Sequence, residues 1–67
     1  MDKQILLNGK SYQTTAHTIA MLIEELGIQA KTIAIAQNTQ VVKKEQWHNA
    51  PIKHNDEIEI LQFVGGG

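Results

Sequence analysis

Residue types that often reveal the chemistry of a small protein are missing from this chain. It contains no cysteine, which excludes disulfides, a catalytic thiolate and zinc ligation by cysteine. Its basic residues are lysines scattered along the sequence, without the basic stripe that a nucleic acid backbone requires. We therefore expect no nucleic acid partner and no cysteine-based site.

Long apolar runs are also missing. No stretch approaches the length that spans a bilayer, and the N-terminal residues lack the apolar segment of a signal peptide. We expect a cytoplasmic protein without a membrane partner, monomeric when free. With 67 residues the chain can build one small core and has little room for an enclosed active site, so we do not expect an independent enzyme.

The N-terminal part of the chain predicts a β-hairpin. Residues 4–7 and 10–15 have the composition of strands, and Asn8-Gly9 between them supplies the two positive φ angles of a type I′ turn. A helix should follow, with Thr18 as its N-cap and Gly27 as its left-handed C-cap. Its apolar stripe has helical spacing and consists of Ile19, Leu22, Ile23 and Leu26.

After Gly27 the pattern changes to that of strands. Residues 32–36 predict a buried strand, and residues 41–42 a short edge strand after a turn at 37–40. We expect residues 44–49 to form a helical turn in which Trp47 packs onto the core. A polar turn at residues 54–56 then leads into a last strand. The order of elements predicts an α+β fold, a small mixed sheet packed on one helix.

The last strand, residues 57–64, alternates between two faces. With Ile58 and Ile60 toward the helix, Leu61 and Phe63 lie on the open face of the sheet, and Leu6 joins them from the first strand. An apolar patch there would be a docking surface for partner proteins. The alternative is that loops cover these side chains as a satellite of the core.

Other polar residues suggest structural roles more than chemical ones. Asp56, Glu57 and Glu59 form an acidic cluster that we place near the C-terminal tail and expect to be solvated, although it could steer a basic partner. The chain's three histidines match no local metal-ligand spacing, so we expect them to be exposed and predict no metal site.

The sequence ends on Gly65, Gly66 and Gly67, directly after the last strand. Glycine contributes nothing to a core, but a bare glycine tail is thin enough to enter a slot in another protein. Extended, it carries the terminal carboxylate roughly 10 Å beyond the domain. We therefore divide the chain into a domain, residues 1–64, and a flexible tail, residues 65–67. The alternative is a frayed terminus without a function.

Taken together, these pieces resemble the ThiS family, the β-grasp, ubiquitin-like sulfur carriers of thiamine biosynthesis. The resemblance covers essentially the whole chain. It rests on residues 4–9, the helix begun by Thr18, residues 33–36, Val41-Val42 with Glu45-Gln46-Trp47, and residues 56–60 running into Phe63, Val64 and the glycines. Two departures are Lys43 in place of a common proline and His54-Asn55-Asp56 in place of Asp-Gly-Asp.

The resemblance implies a reaction at the C-terminus. An adenylating enzyme of the ubiquitin-activating type (ThiF-like) would use ATP to activate the carboxylate of Gly67. A sulfur-donor enzyme would then convert it to a thiocarboxylate, which delivers sulfur to thiazole synthase (ThiG-like). Gly65 and Gly66 would let the tail enter the partner's active site, and Leu6, Leu61 and Phe63 would bind the partner. The chain itself would bind no cofactor. A sulfur carrier for molybdenum cofactor or another acceptor, and a non-reactive ubiquitin-like interaction module, remain alternatives.

Overall fold

The computed structural model describes residues 2–63 of the chain. These residues form five strands and one α-helix, in the order that the sequence predicts. The elements are β1 (Lys3–Leu7), β2 (Lys10–Thr14), α1 (Ile19–Leu26), β3 (Ile33–Gln37), β4 (Gln40–Val42) and β5 (Glu57–Gln62). Two 3₁₀ helices, Ala30–Thr32 and Lys44–Asn49, lie before β3 and after β4. Thr32, predicted to begin a strand, instead ends a 3₁₀ turn because its N–H bonds to the Gln29 carbonyl at 3.3 Å.

The strands form one mixed sheet in the order β2-β1-β5-β3-β4. The last strand therefore lies at the centre, parallel to β1 and antiparallel to β3. The predicted edge position of β4 is confirmed. Strand β1 flanks β5 at Glu57 and Ile58, and β3 flanks it from Ile58 to Gln62.

Both hairpin turns depend on residues that tolerate a left-handed backbone. Asn8 and Gly9 have φ angles of 51° and 83°, which confirms the predicted type of turn between β1 and β2. Asn38 and Thr39 have φ angles of 51° and 72° between β3 and β4. Asparagine adopts this conformation readily, but a β-branched residue such as Thr39 does so rarely. Asn55 also has a positive φ, 75°.

Helix α1 covers one face of the sheet. The Thr18 hydroxyl accepts a hydrogen bond from the Met21 N–H at 3.2 Å, and Gly27 ends the helix in a left-handed conformation, so both predicted caps are confirmed. The side chains between helix and sheet form one apolar core. Its fully buried members, with less than 2% of their surface exposed, are Ile5, Ile19, Leu22, Ile35 and Ile58.

The segment after β4 is attached to the core by its tryptophan. Trp47 is buried within the 3₁₀ helix, and its indole N–H donates to the Val42 carbonyl at 2.8 Å. The next residues pair with the start of α1, where the Ile52 N–H bonds to the His17 carbonyl and the Ile19 N–H bonds to the Ala50 carbonyl, both at 2.9 Å. The predicted role of Trp47, to hold an irregular segment onto the core, is confirmed.

Candidate functional site

The face of the sheet opposite the helix carries exposed apolar side chains. Leu61 on β5 and Phe63 just after it keep 62% and 55% of their surface exposed, and Leu6 on β1 keeps 39%. Ile58 and Ile60 point to the other face, where Ile58 is fully buried. The predicted outward orientation of Leu6, Leu61 and Phe63 is therefore confirmed, and within residues 2–63 no loop covers them. Their role in binding a partner stays a prediction.

Strand register separates Leu6 from the other two residues. Leu6 lies beside Glu57, the first residue of β5, whereas Leu61 lies four positions further along that strand and beside Ala34. At roughly 3.3 Å per residue, about 13 Å separates the two positions along β5. The predicted patch is therefore divided into a larger part around Leu61 and a smaller part at Leu6.

Val41 also belongs to the larger part, although it is not among the residues predicted for the patch. It lies on β4 opposite Ala36 and is 76% exposed, the most exposed large apolar side chain among residues 2–63. Its neighbour Val42 points toward the core. Successive side chains of a strand point to opposite faces, so one of the two adjacent valines on β4 had to face outward. This alternation is the sequence signal that could have identified Val41.

Between these side chains the sheet surface forms a shallow trough of about 480 Å³. Its floor is β3, where the small side chains of Ala34 and Ala36 leave the space open. Its walls are Leu61 and Glu59 on β5 and Val41 on β4, and Asn8 also lines it. We call this feature the alanine trough.

The acidic cluster is not arranged as predicted. Glu57 and Glu59 are exposed on the outer face, but Asp56 is buried. Glu57 begins β5 and Asp56 directly precedes it, roughly 20 Å before Phe63 at 3.3 Å per residue. The prediction of a solvated group is therefore wrong for Asp56, whereas proximity to the tail concerns residues outside the described range and stays a prediction.

Asp56 instead connects two turns. Its carboxylate accepts hydrogen bonds from the Gln37 and Asn38 side-chain amides at 2.9 and 3.0 Å and from the Lys53 N–H at 2.8 Å. Burial alone would raise the pKa of Asp56, but these three hydrogen bonds outweigh it and lower the pKa below its usual value. The group is thus a structural carboxylate that positions the start of β5.

Asn8 holds the second half of β5. The strand β1 ends at Leu7, so no β1 residue lies beside Ile60. The Asn8 side chain takes that place, because its oxygen accepts from the Ile60 N–H at 2.7 Å and its amide donates to the Ile60 carbonyl at 3.3 Å. The turn motif predicts the backbone of Asn8 but not this contact, which depends on β5 lying next to β1.

The tail predicted to react, Gly65, Gly66 and Gly67, lies outside the described residues, as does Val64. The last described residue, Phe63, is still bound to the sheet, since its N–H donates to the Thr32 carbonyl at 2.7 Å. The backbone that leads to the tail is therefore held by hydrogen bonds up to that point. The predicted division into residues 1–64 and 65–67 stays a prediction.

Residues 2–63 hold neither a cluster of metal ligands nor a membrane-spanning helix. Residues 2–63 contain no group of three or more His, Asp or Glu side chains that could hold a metal ion. His17, His48 and His54 are each exposed, as predicted. No helix within residues 2–63 is long and apolar enough to cross a membrane.

The fold and the exposed sheet face define the chain as a β-grasp, ubiquitin-like domain. A crystal structure of a thiamine biosynthesis protein, ThiS from Geobacter metallireducens, superposes with a TM-score of 0.82, covering 96% of this chain and 99% of that one at 26% identity. Residues 5–67 match the model of the ThiS family, and the chain belongs to that family.

Curated relatives agree with this assignment. The sulfur carrier protein ThiS of Escherichia coli is 35% identical over 65 residues, which cover 96% of this chain and 98% of that protein. The thiazole synthase of Paramagnetospirillum magneticum is 29% identical over 65 residues, 96% of this chain. The chain spans 20% of the length of that thiazole synthase, so the similarity concerns one segment of it.

Proposed function

We propose that this protein carries sulfur for thiazole formation as a thiocarboxylate on Gly67. An adenylating enzyme of the ubiquitin-activating type activates the Gly67 carboxylate with ATP and releases pyrophosphate. A sulfur-donor enzyme then replaces the adenylate with sulfur and releases AMP. The observation that carries the proposal is the family match, which extends through the three glycines to residue 67.

The chemistry of the chain is consistent with a carrier that does not catalyse the reaction itself. A carboxylate is a poor electrophile because its negative charge repels nucleophiles, so its activation has to come from a partner enzyme. Gly65 and Gly66 carry no side chains that would obstruct a narrow channel in that enzyme. In this proposal ATP binds to the partner, and the carrier works as a cytoplasmic monomer.

Thiazole synthase is the acceptor that we propose. Support comes from the thiazole synthases of Paramagnetospirillum magneticum and Magnetococcus marinus, each of which includes a segment similar to 96% of this chain. A segment of this kind joined to a thiazole synthase is expected when the two parts act on one sulfur atom.

The partner's docking surface is the larger apolar part of the outer face, with Leu61 and Phe63, extended by Leu6. Leu6 and Leu61 are exposed on strands that the core holds in place, and Phe63 directly after β5 is bound to the Thr32 carbonyl. Burying exposed leucine and phenylalanine surface on docking would provide binding energy without a change in the fold.

The intact mass of the protein tests the proposal. The chain is incubated with ATP, a sulfur source and the purified adenylating enzyme of the thiamine pathway, and is then weighed by mass spectrometry. We expect a gain equal to the replacement of one oxygen by sulfur, located by fragmentation on Gly67. The matched control is the same chain with one alanine added after Gly67, which should stay unmodified.

Two other results would contradict the proposal. An unmodified chain, in a mixture that converts the Escherichia coli carrier, would favour a non-reactive interaction module. A thiocarboxylate that thiazole synthase does not consume, but another sulfur acceptor does, would assign the carrier to another pathway such as molybdenum cofactor synthesis.

A further inference from the structure

Charge is segregated between the two faces of the sheet. On the outer face, the charged side chains of the five strands are both acidic, Glu57 and Glu59. Lys3 and Lys10 lie on the helix side of β1 and β2, because their register partners are the inward-facing Thr14 and Leu7. The other lysines, Lys31, Lys43, Lys44 and Lys53, lie outside the strands. Within the five strands, the charged side chains on the outer face are therefore both acidic, and the lysines face the helix side.

The two glutamates have different surroundings. Glu59 lies in one cross-strand row with Ala36 and Val41, so its carboxylate stands at the wall of the alanine trough. Glu57 lies beside Leu6 and lines a second concavity of about 120 Å³, which Glu59 borders as well, but Glu57 does not line the trough. Within the trough, Glu59 is the charged group among the lining residues.

The alanine trough thus combines an apolar floor with one carboxylate at its wall. A purely apolar side chain in the trough would exclude water from the Glu59 carboxylate without giving it a partner. Removing water from an unpaired charge is costly in free energy. A lysine ammonium is compact and strongly hydrated, whereas arginine has an apolar stem and a planar, weakly hydrated head that bonds carboxylates through two N–H groups. Arginine is therefore the side chain whose two parts match the two parts of the trough.

We propose that the alanine trough receives an arginine side chain of the adenylating enzyme. The aliphatic stem of that arginine lies over Ala34 and Ala36, and its guanidinium group bonds to the Glu59 carboxylate. This inference rests on the proposed function, which supplies the partner, and it adds the contact that selects this partner. Arginine pairs that become enclosed on docking are among the contacts that dominate interface energies.

The first test compares Glu59→Gln with Glu57→Gln. Each variant removes one negative charge from the same face of the same strand, but only Glu59 lies in the trough. The measurement is adenylation of the carrier by the purified enzyme, followed as ATP–pyrophosphate exchange over a range of carrier and salt concentrations. We expect Glu59→Gln to raise the KM for the carrier about tenfold without changing kcat, and Glu57→Gln to change it less than about twofold.

A second test fills the trough without changing any charge. Ala36→Leu places a large side chain on the trough floor, and Gln13→Leu makes the same kind of change on the outer face of β2, away from the trough. We expect Ala36→Leu to raise the KM for the carrier about tenfold and Gln13→Leu to leave it near the wild-type value. Unfolding midpoints measured in parallel establish that the variants are folded.

The partner side supplies a third, reciprocal test. In a carrier with Glu59→Arg, adenylation should fall, and it should recover when one arginine of the adenylating enzyme is changed to glutamate. Recovery with a single arginine identifies the residue that occupies the trough.

The outcomes separate this inference from the proposed function. Suppose that the wild-type carrier is adenylated. Equal KM values for Glu59→Gln and Glu57→Gln, or an unchanged KM for Ala36→Leu, would then overturn the arginine contact and leave the carrier function intact. No adenylation of the wild-type carrier, by an enzyme active on the Escherichia coli protein, would overturn both.

Discussion

The side chain of Asn8 pairs with both backbone polar groups of Ile60, 52 residues later in the sequence. In this way one amide group replaces a missing residue of β1 and continues the hydrogen bonding of the central strand. Ile60 lies between Glu59 and Leu61, whose side chains form a wall of the alanine trough. The contact therefore stabilises the same part of β5 that we propose to dock.

Replacement of Asn8 by glycine should weaken β5 locally. Glycine keeps the positive φ of the turn, so the decrease in the free energy of unfolding reflects the loss of the two side-chain hydrogen bonds. We expect this decrease to be about 1–2 kcal/mol. Urea denaturation gives the stability, and amide hydrogen exchange should be faster at Ile60. In the matched variant Asn8→Asp, a carboxylate faces the Ile60 carbonyl. We therefore expect the Asn8→Asp variant to be less stable than the Asn8→Gly variant at neutral pH. Unchanged exchange at Ile60 in Asn8→Gly would contradict the role of this contact.

Asp56 should make the stability of the protein depend on acid. Its pKa is lowered in the folded state, so its contribution is complete above the unfolded-state value of about 3.9 and is lost as pH falls through the folded-state pKa. Asp56→Asn places an amide donor either against the Asn38 donor or against the Gln37 and Lys53 donors, and should cost about 1–3 kcal/mol at neutral pH. Thermal unfolding at several pH values should show that this variant has lost part of the acid dependence. The control variant Asp2→Asn, at an exposed position, should retain the full acid dependence. If the unfolding temperature of Asp56→Asn depends on pH as steeply as that of the wild type, the hydrogen bonds to Asp56 do not act as described.

Leu61→Asp should impair docking without impairing folding. Leu61 is 62% exposed, so the substitution should change the free energy of unfolding by no more than about 0.5 kcal/mol. A new carboxylate on the docking surface should reduce the rate of thiocarboxylate formation at least about tenfold, because it has to be desolvated on binding. Gln13→Asp, on the outer face of β2, is the control and should react normally. A folded Leu61→Asp protein that is activated at the wild-type rate would exclude this surface.

Leu6→Asp tests how far the docking surface extends. Leu6 lies about 13 Å along the sheet from Leu61 at 3.3 Å per residue, so a partner that covers both positions needs a broad interface. We expect a smaller reduction of thiocarboxylate formation than for Leu61→Asp, measured in the same assay. An unchanged rate for Leu6→Asp alone would confine docking to the part of the face around Leu61.

Gly66→Val should block the reaction far more than it affects folding. The β-branched side chain obstructs a channel that admits a bare backbone, and Gly66→Ala should produce a smaller effect because its side chain is a single methyl group. Intact mass after incubation with ATP and the partner enzymes measures thiocarboxylate formation, and denaturation measures stability. Normal conversion of the valine variant would show that the tail does not enter a narrow channel.

Local chemistry in the sequence was sufficient to predict the order and most of the ends of the elements. Asn8-Gly9 specifies a turn, Thr18 and Gly27 mark the ends of the helix, and the spacing of its apolar residues selects the buried face. Each of these signals depends on neighbours within a few residues, so it can be recognised without knowing the fold. The glycine tail and the family resemblance also depend only on the order of residues.

Tertiary structure decided which of these residues meet. The placement of β5 between β1 and β3 sets Leu6 apart from Leu61 and brings Ala34, Val41 and Glu59 around one trough. It also buries Asp56 among amide donors, where the sequence pattern suggested a solvated group. Strand order and register are determined by how the whole core packs, and no local pattern contains that information. The sequence by itself determined the elements, the outward side of the last strand and the family, whereas the tertiary structure determined the shape and charge of the surface that a partner meets.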